Sequence, residues 1–116
     1  MGKRDDRLHS AETYKAVLTT RPVVKTGSCV VYKAPSPDGM RLGFVVPKKL
    51  VKYAVQRNQI KRWARALFRA KKSLMTEDVV LIVRVTTAQP KSDWRALGQQ
   101  RFKQDLCLAM ERAMVA

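Results

Sequence analysis

Between residues 39 and 76 stand eleven lysines and arginines, and no aspartate or glutamate interrupts them. They are Arg41, Lys48, Lys49, Lys52, Arg57, Lys61, Arg62, Arg65, Arg69, Lys71 and Lys72. Such a set offers ammonium groups and forked guanidinium donors, which match phosphate oxygens. Apolar residues at helical spacing run through the same stretch, so the charge is carried on a folded element rather than on a disordered tail. A folded element with this much charge of one sign needs a polyanion to neutralise it. Nucleic-acid phosphate is the commonest candidate.

At about 100° per residue, Ile60, Trp63, Ala64 and Leu67 gather on one side of a central helix. Lys61, Arg62, Arg65, Arg69 and Lys72 gather on the other, with Asn58 among them, Arg57 toward the edge and Phe68 bordering the basic arc. An ordinary solvated helix mixes Glu with Lys and gains ion pairs one turn apart. Here each close like-charge pair instead costs a few tenths of a kcal/mol. The apolar side must therefore hold the helix in place, and a bound phosphate backbone relieves the repulsion. A DNA-reading helix would offer Asn58 and Gln59 to base edges, but a strand and a basic loop precede this helix, not a helix-turn-helix partner.

The elements that must position this helix can be read outward from it. The chain has 116 residues, 46% of them hydrophobic, which suits one domain with a proper core. Residues 1–8 read as a loosely ordered basic arm. Ser10 can cap a short helix with Glu12 in its first turn and Tyr14, Val17 and Leu18 on one face; Arg21-Pro22 ends it. Val23-Val24 is a short strand. In a strand over 28–34, Ser28, Val30, Tyr32 and Ala34 share one face, and Cys29, Val31 and Lys33 the other. The 35–39 segment is a turn, and 41–46 resumes as a strand expected to pair with 28–34 as a hairpin. Gly43 within it marks a close backbone approach. A basic loop over 48–53 leads into the helix at 54–73. Residues 79–85 form an apolar strand buried on both faces. Ser92 and Asp93 can open a last helix whose core stripe is Phe102, Leu106, Ala109, Met110 and Ala113. The class is α+β, a small mixed four-stranded sheet with three helices in the order αβββαβα.

The balance of 24 basic against 9 acidic residues gives a net charge of +15, far more than solubility needs. It calls for RNA, DNA or an anionic membrane. No apolar run approaches the roughly 20 residues that span a bilayer, and the first ten residues lack a secretory signal. The expectation is a cytoplasmic protein with no membrane partner. Cys29 and Cys107 are too far apart in sequence for a zinc motif or a disulfide framework, and read as buried, reduced thiols. His9 is the single histidine and reads as a solvated side chain without metal partners.

The run Arg41-Leu42-Gly43-Phe44-Val45-Val46-Pro47-Lys48-Lys49, then Ala54-Val55-Gln56-Arg57-Asn58-Gln59-Ile60-Lys61-Arg62, then Arg65 and Phe68-Arg69, closely resembles the signature of the bacterial ribonuclease P protein. That family carries a strand ending in Lys-Lys, a short loop, and then Arg-Asn-Arg, an aliphatic residue and Lys-Arg on a helix. The resemblance implies the small subunit of a ribonucleoprotein that removes the 5′ leader of precursor tRNA. It implies that the RNA subunit does the chemistry, using magnesium bound mainly by the RNA and the substrate; no metal, catalytic residue or obligate protein partner is expected on the protein itself. It further implies a fold like that of some small-subunit ribosomal proteins, with a left-handed β-α-β crossover that runs against the usual right-handed rule.

By resemblance, Lys48, Lys49, Arg57, Asn58, Lys61, Arg62, Arg65 and Arg69 face the RNA subunit. The positions matching the family's leader cleft are Tyr14, Leu18 and Tyr32. Single-stranded RNA is held by stacking on aromatics in a positive groove, while the same tyrosines could equally be core-edge residues. Three departures stand out. Gln59 replaces the family's usual Arg, Leu18 replaces a Phe found in some members, and the 50–53 loop lacks the glycine of many members. A protein nuclease is the main rival, and it would need histidine or carboxylates in a cleft, or a carboxylate metal site; the basic face carries neither. A ribosomal protein or DNA-binding module shares the charge but not the motif.

Overall fold

Seven consecutive residues with almost no polar side chain cannot lie at a sheet edge, and Val79–Val85 does not. In the computed structural model, which describes residues 7–37, 39–90 and 94–115, this strand is the centre of a four-stranded sheet. In chain order the elements are α1 (Ala11–Leu18), β1 (Val24–Lys25), β2 (Cys29–Pro35), β3 (Arg41–Val45), α2 (Ala54–Lys71), a 3-10 turn (Lys72–Leu74), β4 (Val79–Val85) and α3 (Ala96–Val115). The sheet order is β1-β2-β4-β3. The expected α+β class, element order and mixed sheet are all present.

The expected β2–β3 hairpin is not. β4 runs antiparallel to β2, pairing Cys29 with Val85 and Pro35 with Val79. It runs parallel to β3, pairing Arg41 with Val80 and Val45 with Arg84. The reason is burial: β4 is apolar on both faces and takes the central place, forcing β2 and β3 apart. The linker between them therefore crosses the start of β4, a gap of roughly 10 Å between strands two apart, and the Ser36 N–H bonds to the Asp78 carbonyl on the way (3.0 Å). β3, α2 and β4 form a parallel β-α-β unit.

Strand parity divides the core as the alternation predicts. Cys29, Val31, Leu42, Leu81 and Val83 point to the face covered by α2 and α3, where they meet Ile60, Ala64, Phe68, Phe102, Leu106 and Met110. Val30, Tyr32, Val80 and Ile82 point to the other face, under Val17 of α1 and Leu8. Ser10 caps α1 as expected, its Oγ accepting from the Thr13 N–H at 3.2 Å, but the helix stops at Leu18, before Arg21-Pro22. Residues 7 and 8 do not hang free. Arg7 bridges to Leu42, and the Leu8 N–H donates to the Leu42 carbonyl at 3.0 Å, extending the sheet past β3. The expected cap of α3 at Ser92 and Asp93 lies outside the described residues. The five expected core positions of α3, from Phe102 to Ala113, are all buried.

Two core expectations need correction. Phe68 is fully buried rather than bordering the basic arc, because the buried ridge of α2 runs Gln56, Ile60, Ala64, Phe68, each one turn from the last. Trp63 and Leu67 lie on the flank toward α3 and stay partly open. Cys29 is buried, but Cys107 is only half-buried, its Sγ 3.5 Å from a Glu111 carboxylate oxygen.

Candidate nucleic-acid interface

The basic loop between β3 and α2 is built from inward-turned carbonyls. The Leu50 and Val51 N–H groups donate to the Pro47 carbonyl (3.0 and 2.9 Å). The Val51 and Lys52 carbonyls accept from Arg57 Nη1 at 3.0 and 2.8 Å. No described residue other than glycine has a positive φ, so the loop needs no glycine. With its backbone groups tied down, the loop leaves the side chains of Lys48, Lys49 and Lys52 exposed. Arg57, its side chain half-buried, thus shapes the loop through one nitrogen of its fork.

Along α2, Asn58, Arg62 and Arg69 are exposed, and Lys61 and Arg65 are half-buried on the flank toward β3. The Arg65 guanidinium stands 5.6 Å from the centre of the Phe44 ring, a cation–π contact. Its Nε is buried with no hydrogen-bond partner. Burial, and then the neighbouring charges of Arg7 and Arg69, push its pKa below the ordinary arginine value. The docked arm thus adds a cation that pattern reading did not assign to this face. Lys71, at the far end of α2, turns away and pairs with Glu111 of α3 (3.3 Å). The eight residues expected at the RNA subunit, from Lys48 to Arg69, therefore lie on one loop and one helix side, in a continuous strip.

Gln59 does not belong to that strip. Its Oε1 accepts from the Trp94 indole N–H (2.9 Å) and its Nε2 donates to Gln99 Oε1 (3.2 Å), so it knits α2 to the segment opening α3. Gln59 thus commits its carboxamide to the seam between helices.

The structure brings Tyr14, Leu18 and Tyr32 together over the α1 face of the sheet. Tyr14 and Leu18 are half-buried, whereas Tyr32 is only 6% exposed. Tyr32 is thus placed as a core residue that offers little ring for stacking. Tyr14 lies over Gly43, the close approach expected there, and its hydroxyl oxygen accepts from the Phe44 N–H at 3.1 Å. Beside them is a cation that pattern reading missed. Arg84, in register between Val30 and Val45, shares the face of Ile82 and Val80 and is exposed. The signal was available: it is the one charged residue in an otherwise apolar strand.

No helix among the described residues is long and apolar enough to cross a membrane. A model of the Ribonuclease P family matches residues 2–106 of the chain. The chain belongs to the ribonuclease P protein family. Among relatives, it is 39% identical over 88 residues to the ribonuclease P protein component of Ralstonia pickettii (strain 12J), covering 75% of this chain and 62% of that one. It is 43% identical over 58 residues to that of Pseudanabaena sp. (strain PCC 6903), half of each chain. The match thus spans about half to three fifths of the length of these relatives. Among solved structures, the RNase P protein of Staphylococcus aureus superposes with a TM-score of 0.70 at 27% identity, over 96% of this chain and 99% of that one. The RNase P protein of Thermotoga maritima shares the fold, with a TM-score of 0.62 at 23% identity over 93% of this chain and 91% of that one.

Proposed function

We propose that this protein is the RNA-binding subunit of ribonuclease P, acting with a catalytic RNA to remove the 5′ leader of precursor tRNA. One observation carries the reading: an exposed cationic strip on the 48–53 loop and one side of α2, uninterrupted by any acid between residues 39 and 76 and backed by a buried apolar ridge. The strip grips phosphates of the RNA subunit. Half-buried Tyr14 and Leu18, with exposed Arg84, form the side that meets the single-stranded leader, where a ring edge and a guanidinium suit bases and phosphates.

The protein itself contributes binding and orientation. Its basic face offers ammonium and guanidinium groups and no carboxylate, a donor set that repels a divalent cation. Magnesium would be held by the RNA and the substrate, where it would supply Lewis-acid chemistry. Neutralising phosphate on the protein side lets substrate and RNA approach at lower magnesium.

The test is a precursor-tRNA cleavage assay at low magnesium with the RNA subunit alone, the protein alone, and both. The reading requires an inactive protein and a mixture faster than the RNA. Cleavage by the protein alone, or no effect on the RNA, contradicts it.

A further inference from the structure

Among the described residues, Gln56 is the one polar side chain that is buried, at 4% exposure. It heads the ridge of Ile60, Ala64 and Phe68, where an apolar residue would pack without penalty. A carboxamide there is tolerated only if its hydrogen bonds are made. Both of its partners are loop backbone. Its Oε1 accepts from the Tyr53 N–H (3.4 Å) and its Nε2 donates to the Gln89 carbonyl (3.3 Å). The Gln89 N–H in turn donates to the Leu50 carbonyl at 2.7 Å. Gln89, in the segment after β4, is therefore clipped to the basic loop through its N–H and to α2 through its carbonyl. Arg57, the next residue, closes the same loop through Val51 and Lys52.

We propose that Gln56 is a positioning residue for RNA binding: through Gln89 it holds the 47–53 loop in the shape that presents Lys48, Lys49 and Lys52 to phosphate. The proposal rests on the RNA-binding reading above. Gln56 touches no RNA. Losing its two hydrogen bonds leaves every charge in place but frees the loop, so the lysines must be ordered at the moment of binding.

The experiment uses the full chain and a transcript of the ribonuclease P RNA from the same organism, with affinity measured across a salt series. Gln56→Met keeps the volume and removes both hydrogen bonds. Gln89→Pro leaves Gln56 intact and removes the N–H that holds Leu50. Either should weaken binding by about three- to tenfold and make the log–log salt slope shallower by about one. Lys48→Ala/Lys49→Ala should cost the wild type clearly, yet little more in the Gln56→Met background. A merely structural Gln56 lowers unfolding stability but leaves the slope unchanged and the lysine effect additive, and that result overturns the proposal. Should Gln56→Met fail to fold, Gln89→Pro with the same lysine changes decides the matter by the same criterion. A wild type that binds the transcript without salt dependence overturns both this inference and the functional reading; normal wild-type binding with additive variants overturns this inference alone.

Discussion

Tyr14 sits where Gly43 has no side chain: a Cβ on residue 43 would fall 2.6 Å from the phenol oxygen. The same oxygen takes the Phe44 N–H. One glycine thus lets α1 settle onto β3 and fixes the aromatic ring at the edge of the proposed leader face. Gly43→Ala must push the ring off its seat. It should destabilise the fold by about 1–3 kcal/mol, the usual cost of overpacking, while Tyr14→Phe costs only about 1 kcal/mol for the lost acceptor. Urea denaturation of the three proteins checks the order.

Arg65 is held at some expense to the free protein. Its Nε is buried without a partner, and Arg7 and Arg69 lie close enough to depress its pKa. Arg65→Met should change the stability of the free protein by less than about 1 kcal/mol in either direction. The same change should weaken binding to the RNA subunit about five- to tenfold, with a salt slope shallower by about one. Thermal melts and a binding titration on the same preparation separate the two effects.

Arg84 and Tyr32 share a face but not an exposure, and their substitutions should therefore diverge. Arg84→Ala removes an exposed cation. It should leave stability within about 0.5 kcal/mol of wild type and reduce the preference for precursor over mature tRNA. Tyr32, only 6% exposed, should behave as a core residue: Tyr32→Ala costs roughly 3–5 kcal/mol. Competition between precursor and mature tRNA, run beside denaturation curves, reads both outcomes.

The two thiols should differ in reactivity. Burial raises the pKa of Cys29; burial, followed by the Glu111 carboxylate, raises that of Cys107. Half-buried Cys107 should react slowly with a thiol reagent in the folded protein, and Cys29 only on unfolding. The folded chain keeps these protons where the unfolded chain releases them. The stability this contributes is therefore intact below the ordinary thiol value of 9.0 and is lost as pH rises above it. Denaturation midpoints between neutral pH and pH ~10 should fall less steeply for Cys29→Ala.

Much of the fold was legible because burial leaves a period in the chain. The alternation of Val30 and Tyr32 against Cys29 and Val31 assigned both sheet faces correctly, and Ser10 announced α1. Partner choice among strands is not periodic. The 35–39 turn reads as a hairpin until β4, apolar on both faces, takes the centre and splits β2 from β3. On α2 the wheel separated cations from core but misplaced Phe68, since a ridge of residues one turn apart drifts around the helix. At the site, the strip from Lys48 to Arg69 was readable as charge. The roles of Gln56, Gln59 and Arg57 were not, because each is defined by a backbone or side-chain partner distant in sequence or folded back in a loop. Arg7 was hidden for a similar reason: only its bridge to Leu42 brings it beside Arg65.

The most direct test of the central claim is the affinity of the protein for the ribonuclease P RNA as a function of salt. Engagement of about six phosphates by the strip predicts a log–log slope of roughly −4 to −5, flattened when Arg62 and Arg69 are changed to Ala. A slope near zero, or one that these changes leave untouched, contradicts the account.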